Sequence, residues 1–229
     1  MIAGLMRVKD FPYISLTVES LASFVDQMFF LVDRNHDTNV LDTIANHPKT
    51  AKICISTEPF KQPTSLNRIF ELVKDVKPEI VFYPDEDDLL PNNRQEILDT
   101  LRSFSEPRAM MFYMLNCYGN IDTVSIDAID KPHAKALIWT PEVSFLSLKG
   151  GYRGACRPIG YKTTFSKYPL RHLCRMDDAC QQRRLKHLRI MNKNRKGYTP
   201  DWRPKRTVRF DPSWTTKQWF KVVRNLCGQ

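Results

Sequence analysis

No run of 18 or more apolar residues occurs in the 229-residue chain, so no segment has the length and apolarity of a membrane-spanning helix. The start lacks the layout of a secretory signal. Met1 to Met6 is too short for an apolar h-region, and Arg7, Lys9 and Asp10 follow directly, so a cytoplasmic setting is expected. The six cysteines, at 54, 117, 156, 174, 180 and 227, contain no CxxC pair. That spacing indicates neither a zinc cluster nor a disulfide framework, and inert thiols in a reducing compartment are the expectation. No internal repeat is visible.

What remains is an ordinary globular composition, 42% hydrophobic and 26% charged, long enough for one good core. The net charge of +10 is unevenly spread. Residues 1–147 carry 14 Lys+Arg against 21 Asp+Glu, whereas residues 148–229 carry 21 against 4. A net of −7 is thus followed by a net of +17. A basic half with interleaved aromatics points to a polyanionic partner; the plainer reading is a solvated basic surface.

Strand and helix signals alternate over the first 115 residues. Ile2–Val8 reads as a strand, Pro12–Phe24 as a helix, Met28–Val32 as a buried parallel strand and Val40–Ala45 as a helix. Lys52–Ile55 reads as a strand and Leu66–Val76 as a helix stopped by Pro78. Ile80–Tyr83 is a further strand, and Asn92–Phe104 a further helix. This order predicts an α/β fold with a doubly wound, mostly parallel sheet flanked by helices. Ligands bind beyond the carboxyl ends of such strands. Asp33 and Asp85 both follow strand ends. Further on, Ala109–Leu115, Thr123–Ile126 and Ala136–Trp139 read as strands, Gly150, Gly151 and Gly154 as a loop, and Arg175–Asn192 as a basic helix. Residues 195–229, rich in Pro, Trp, Arg and Lys, read as a wrapped basic tail. The expected organisation is a nucleotide-binding half (1–115), an acceptor-side half (116–194) and that tail.

The strongest local signal is Asp85-Glu86-Asp87-Asp88, set between an apolar strand and a helix. Hard divalent cations take several carboxylate or phosphate oxygens, and two aspartates one residue apart can reach a cation from one side. The plainer reading is an acidic helix start favoured by the helix dipole.

With these residues in view, the chain resembles glycosyltransferase family 2. The resemblance runs through Met6-Arg7-Val8-Lys9-Asp10, Leu31-Val32-Asp33, Ser65-Leu66-Asn67-Arg68 and Tyr83-Pro84-Asp85-Glu86-Asp87-Asp88, over about residues 5–105. It implies a GT-A, Rossmann-like fold and a metal-dependent transfer of a sugar from a nucleotide-sugar donor, UDP-linked in the first instance, to an acceptor hydroxyl. It implies Arg7, Asp33, Asn67 and Asp85 as donor-binding residues, Asp33 at the nucleoside end. It implies Asp85 and Asp87 as ligands of Mn2+ or Mg2+, with His172 of Pro169-Leu170-Arg171-His172 completing the site. Leu66 stands where the family often has an arginine.

Many members also carry a glutamate after a glycine-containing loop, near the reacting hydroxyl. Here Gly154-Ala155-Cys156-Arg157 contains none. Glu142, Asp177 and Asp178 are the candidate bases. The resemblance favours inversion, and the missing glutamate leaves a retaining route open. Arg153 and Arg157 can cover the diphosphate.

For the acceptor, the basic half offers Arg183, Arg184, Lys186, Arg189, Lys193, Arg195, Lys196, Lys205, Arg206 and Arg209, with Trp202, Phe210, Trp214, Trp219 and Phe220 near them. Cations neutralise phosphates and aromatics stack bases. A hydroxymethylated pyrimidine in DNA would supply the hydroxyl, as with the bacteriophage enzymes that glycosylate such bases. An anionic glycan or lipid headgroup is the alternative acceptor. A metal-dependent nuclease and a non-catalytic nucleic-acid-binding protein are the readings from other classes.

Overall fold

The computed structural model describes residues 1–58, 60, 63–147, 156–180, 182–183, 204 and 206–227. Its first half alternates β1 (Ile2–Val8), α1 (Ile14–Ala22), β2 (Gln27–Val32), α2 (Thr38–Ala45), β3 (Thr50–Ile55), α3 (Thr64–Glu71) and β4 (Ile80–Phe82). The short β5 (Asp88–Leu89) and α4 (Arg94–Arg102) follow. β3, β2, β1 and β4 lie side by side in that order, all parallel.

The strand pattern explains why helices cover both faces. Side chains alternate along a strand, so Met6, Val8, Phe30, Val32 and Phe82 share one core with Val18 and Leu21 of α1 and Leu98 of α4. Leu5, Phe29, Leu31, Val81 and Tyr83 share the other with Leu66, Ile69 and Phe70 of α3. A strand buried on both sides must read as a continuous apolar run, as β2 does. Gly4 lets α1 come close: a Cβ there would meet Leu21 and Val25 at 3.0 Å. The doubly wound α/β architecture expected from the sequence is present.

The sheet then turns mixed. β7 (Asn120–Ile138) runs antiparallel to β4 and pairs with β6 (Arg108–Tyr118) in a long hairpin. The sequence predicts two separate strands where β7 is one. The break in the pattern is Pro132, which cannot donate to a ladder. The pairing steps from Phe112–His133 to Met114–Asp130, so β7 carries an extra residue there and a bulge absorbs the proline. β10 (Lys162–Phe165) and β11 (Leu170–His172) pair parallel with successive stretches of β6, and β11 pairs with β5. β8 (Phe145–Ser147) and β9 (Cys156–Pro158) form a separate ribbon.

The C-terminal segment is more tightly built in than a wrapped tail. β12 (Thr207–Arg209) adds to β7, and α5 (Thr216–Cys227) follows. Trp219 is fully buried and Phe210 nearly so, in a third core with Phe11, Leu115, Val124 and Leu173. These two rings therefore pack the protein and are not free to stack on an acceptor base. Of the expected basic helix, Arg175 lies in a turn and helical structure begins at Asp178; Arg184 to Asn192 lie outside the described residues. So do Gly150, Gly151, Arg153, Gly154, Lys193, Arg195, Lys196, Trp202 and Lys205.

Candidate functional site

Beyond the end of β4 the chain makes a tight turn. The Asp85 N–H donates to Asp88 Oδ2 at 2.9 Å, and the Asp88 N–H to the Asp85 carbonyl at 3.0 Å. Asp88 opens β5 and is fully buried. β5 lies against β11, which sets Asp88 opposite His172. The short strand thus carries the acidic turn to the histidine that follows it far along the chain.

Three cations hold this turn. Arg7 lies on the β1 face covered by α3, so its guanidinium reaches both Ser65 Oγ, at 3.0 Å, and Asp85 Oδ1, at 2.6 Å. Lys135, on β7, is buried, with Nζ 2.5 Å from Asp85 Oδ2 and 2.7 Å from Asp88 Oδ2. His172 Nδ1 is 2.8 Å from Asp88 Oδ1 and 3.7 Å from Asp87 Oδ1. Charges taken from water need such partners, because their desolvation is expensive. Burial would raise the Asp85 and Asp88 carboxyls, yet Lys135, with Arg7 on Asp85 and His172 on Asp88, holds both below the usual carboxylate range. Burial likewise opposes the charged form of His172, but Cys174, Asp87 and Asp88 lift it well above the ordinary histidine value.

A second set of pairs fastens the outer side. Glu86 accepts from the Lys9 N–H at 2.7 Å and pairs with Arg183, whose Nε donates to Asp10 at 2.6 Å. Burial pushes the Glu86 carboxyl up to about 7 in spite of Arg183. Arg183 was expected among the phosphate-binding cations. Its guanidinium is instead engaged inside the protein by Asp10 and Glu86.

The structure therefore brings together Arg7, Asp85, Asp87 and His172. Both Asp85 oxygens are engaged by Arg7 and Lys135. The Asp87 carboxylate makes no hydrogen bond among the described residues; its nearest cation is His172. Asp33 sits at the end of β2, buried, accepting from the Asn35 N–H at 2.9 Å and the Phe60 N–H at 3.4 Å. Asn67 uses its amide on the Phe145 backbone, accepting at 2.7 Å and donating at 3.3 Å, which ties β8 to α3. Asp177 caps the turn into the helical segment, accepting from the Cys180 N–H at 2.8 Å, and also accepts from the Tyr13 hydroxyl. That bond pushes the Tyr13 hydroxyl up to about 12. Asp178 is exposed, as is Glu142 in the turn after β7.

Sequence reasoning missed Lys135, Asp88 as a buried acceptor, and Cys174. A lone lysine among apolar strand residues carries no motif, and only the pairing of β4 with β7 sets it beside the turn. The signal for Cys174 is its spacing, one residue removed from His172. Donor atoms of Asp87, His172 and Cys174 all lie within 4.8 Å of one another. An unbonded carboxylate beside an imidazole whose other contact is a buried carboxylate is a donor set that fits a divalent cation. Burial pushes the Cys117 thiol, in the third core, up to about 12.

No protein-family model matches the chain, and no curated protein matches it. Solved structures give likenesses of fold. HddC from Yersinia pseudotuberculosis is 10% identical with a TM-score of 0.45, over 78% of this chain and 98% of that one. TarS from S. aureus is 12% identical with a TM-score of 0.49, over 84% of this chain and 40% of that one. A structure of TarS residues 1–349 in complex with UDP is 14% identical with a TM-score of 0.42, over 60% of this chain and 46% of that one. The chain thus spans less than half of either TarS structure, and at these scores no residue role passes from them to this protein.

Proposed function

We propose that this protein is a glycosyltransferase that takes a nucleotide-sugar donor with a divalent cation and passes the sugar to a hydroxyl on an anionic acceptor. The observation that carries the reading is the meeting of Asp87 and His172 at 3.7 Å beyond the carboxyl end of β4, where an α/β sheet binds its ligands. The two residues were expected at a common site from separate parts of the sequence.

Asp87 and His172 would hold the cation, and a cation there would supply positive charge to a leaving diphosphate. Lys135 and Arg7 neutralise the neighbouring carboxylates, so the turn keeps its shape without a ligand and leaves one carboxylate open. Asp33, at the end of β2 and separated from β4 by β1, would take the nucleoside side of the same sheet edge. Among Asp177, Asp178 and Glu142, Asp178 is the first to test as proton acceptor. It is exposed and follows closely on the His172–Cys174 segment, whereas Asp177 is occupied by Tyr13 and the Cys180 N–H.

The anionic acceptor rests on the +17 charge of residues 148–229 and on α5, whose Lys217, Lys221 and Arg224 are exposed. DNA carrying hydroxymethylpyrimidine is one such acceptor and an anionic glycan another. The reading is tested by a panel of UDP-, GDP- and other nucleotide sugars, scored by thermal shift with and without Mn2+. Donors that stabilise the protein are then offered with modified DNA, plain DNA and anionic glycans. Cation-dependent stabilisation by at least one donor, followed by sugar transfer, is expected. Cleavage of plasmid DNA by Mg2+ alone, with no donor stabilising the fold, would move the protein to the nucleases.

A further inference from the structure

We infer that Cys174 is a third protein ligand at the Asp87–His172 site, and that the site selects a borderline-soft cation of the zinc or cobalt class over Mg2+. The inference rests on the proposal that Asp87 and His172 hold a cation, and it goes further by naming the class of cation.

The three donors are of three kinds: a carboxylate oxygen, an imidazole nitrogen and a sulfur, within 4.8 Å of one another. A cation about 2.0–2.3 Å from each donor draws tetrahedral donors to about 3.5 Å apart, so closure needs a movement of about 1 Å. The imidazole is already oriented. Asp88, fully buried, takes Nδ1 at 2.8 Å, the nitrogen that also faces Asp87 at 3.7 Å, and so fixes the ring beside the carboxylate. Carboxylate–histidine–metal arrangements of this kind fix the ring and raise its basicity. Lys135 holds the other oxygen of Asp88, so that carboxylate is kept in place as a partner of the histidine.

The thiol supplies the selectivity. Mg2+ takes hard oxygen donors in octahedral geometry and keeps much of its water, whereas thiolate and imidazole suit zinc and its neighbours. Cys174 is buried, and its thiol donates to Asn116 Oδ1 at 3.6 Å. On binding, the thiol proton and one ring N–H proton of the charged His172 leave to solvent, and the thiolate sulfur and the freed imidazole nitrogen bond the cation. Asp87, His172 and Cys174 fill three positions of a tetrahedron and leave the fourth to water or a donor oxygen, the layout of a working rather than a structural site.

Co2+ reports the sulfur directly, because thiolate-to-cobalt charge transfer absorbs in the near ultraviolet. Co2+ is titrated into the full chain with no nucleotide present, then displaced by Zn2+ and, separately, by Mg2+. The inference expects the charge-transfer band in the wild-type protein, its loss in Cys174→Ser, displacement by Zn2+ at far lower concentration than by Mg2+, and a fall in Zn2+ affinity of about tenfold or more in Cys174→Ser. The wild-type spectrum stands even if the variant folds poorly. Co2+ bound without the band, a band that persists in Cys174→Ser, or no Co2+ binding at all overturns the inference. Donor binding is scored apart. A nucleotide sugar that binds with Mn2+ while the band is missing rejects Cys174 alone. A band with no donor binding under any cation rejects the transferase reading alone.

Discussion

Lys135 and Asp88 form a fully buried ion pair at 2.7 Å between the middle of the sheet and the acidic turn, and the same ammonium lies 2.5 Å from Asp85. One cation thus holds two carboxylates that would otherwise repel each other. Removing it leaves Asp85 with Arg7 alone and the buried Asp88 with His172 alone. Lys135→Met should therefore destabilise the protein by about 3–5 kcal/mol, the usual cost of stripping one partner from a buried pair. Urea unfolding followed by far-ultraviolet circular dichroism measures it, and a loss below about 1 kcal/mol would show the pair to be dispensable.

The same pair predicts how that loss depends on pH. The Asp85 and Asp88 carboxyls are held down in the folded protein, so their contribution is present above the unfolded value of about 3.9 and is lost as pH falls through the folded values. In Lys135→Met only Arg7 on Asp85 and His172 on Asp88 still oppose the effect of burial, so the two carboxyls take up protons at higher pH. The stability gap between wild type and Lys135→Met should be widest near pH 7 and narrow steadily toward pH 4. A gap that stays constant over that range would mean the lysine acts by packing alone.

The C-terminal segment belongs to the core. Trp219 is fully buried and β12 pairs with β7. Trp219→Ala should lower stability by about 3–5 kcal/mol. A melting temperature within a degree or two of the wild type would show residues 204–227 to be an appendage.

The parallel half of the fold was legible because each element there declares itself locally. β1 was read from Ile2 to Val8 as it stands, and β2 to within a residue, since a strand buried on both faces must be apolar throughout. The antiparallel half was less so. Pro132 hides the continuity of β7, and the burial of Trp219 in one core with Leu115 and Val124 joins segments distant in sequence, which no local pattern encodes. At the site, Asp85, Asp87 and His172 were visible through motif and order. Lys135, Asp10 and Arg183 were not, because their partners are distant in sequence and only the folded sheet brings them together.

Exposed Lys217, Lys221 and Arg224 on α5 are the described cations best placed to meet an anionic acceptor. If the acceptor is duplex DNA, each phosphate neutralised contributes about 0.9 to the slope of log K against log salt. Changing all three to Gln should flatten that slope by up to about 2.7 and leave donor binding unchanged. Filter binding over a range of salt concentrations reads the slope. Wild-type binding that ignores salt would exclude a phosphate backbone as the acceptor's main contact.

The central claim, that Asp87 with His172 holds a cation for a nucleotide-sugar donor, is tested most directly by calorimetric titration of UDP-sugars into wild type and Asp87→Asn, each with and without Mn2+. Asp87 lies in the acidic turn with no hydrogen bond to its carboxylate among the described residues, so Asn should leave the fold intact. The account predicts donor binding to the wild type that strengthens with Mn2+, and in Asp87→Asn only the weaker, cation-independent binding. Equal Mn2+-dependent binding by the two proteins would contradict it.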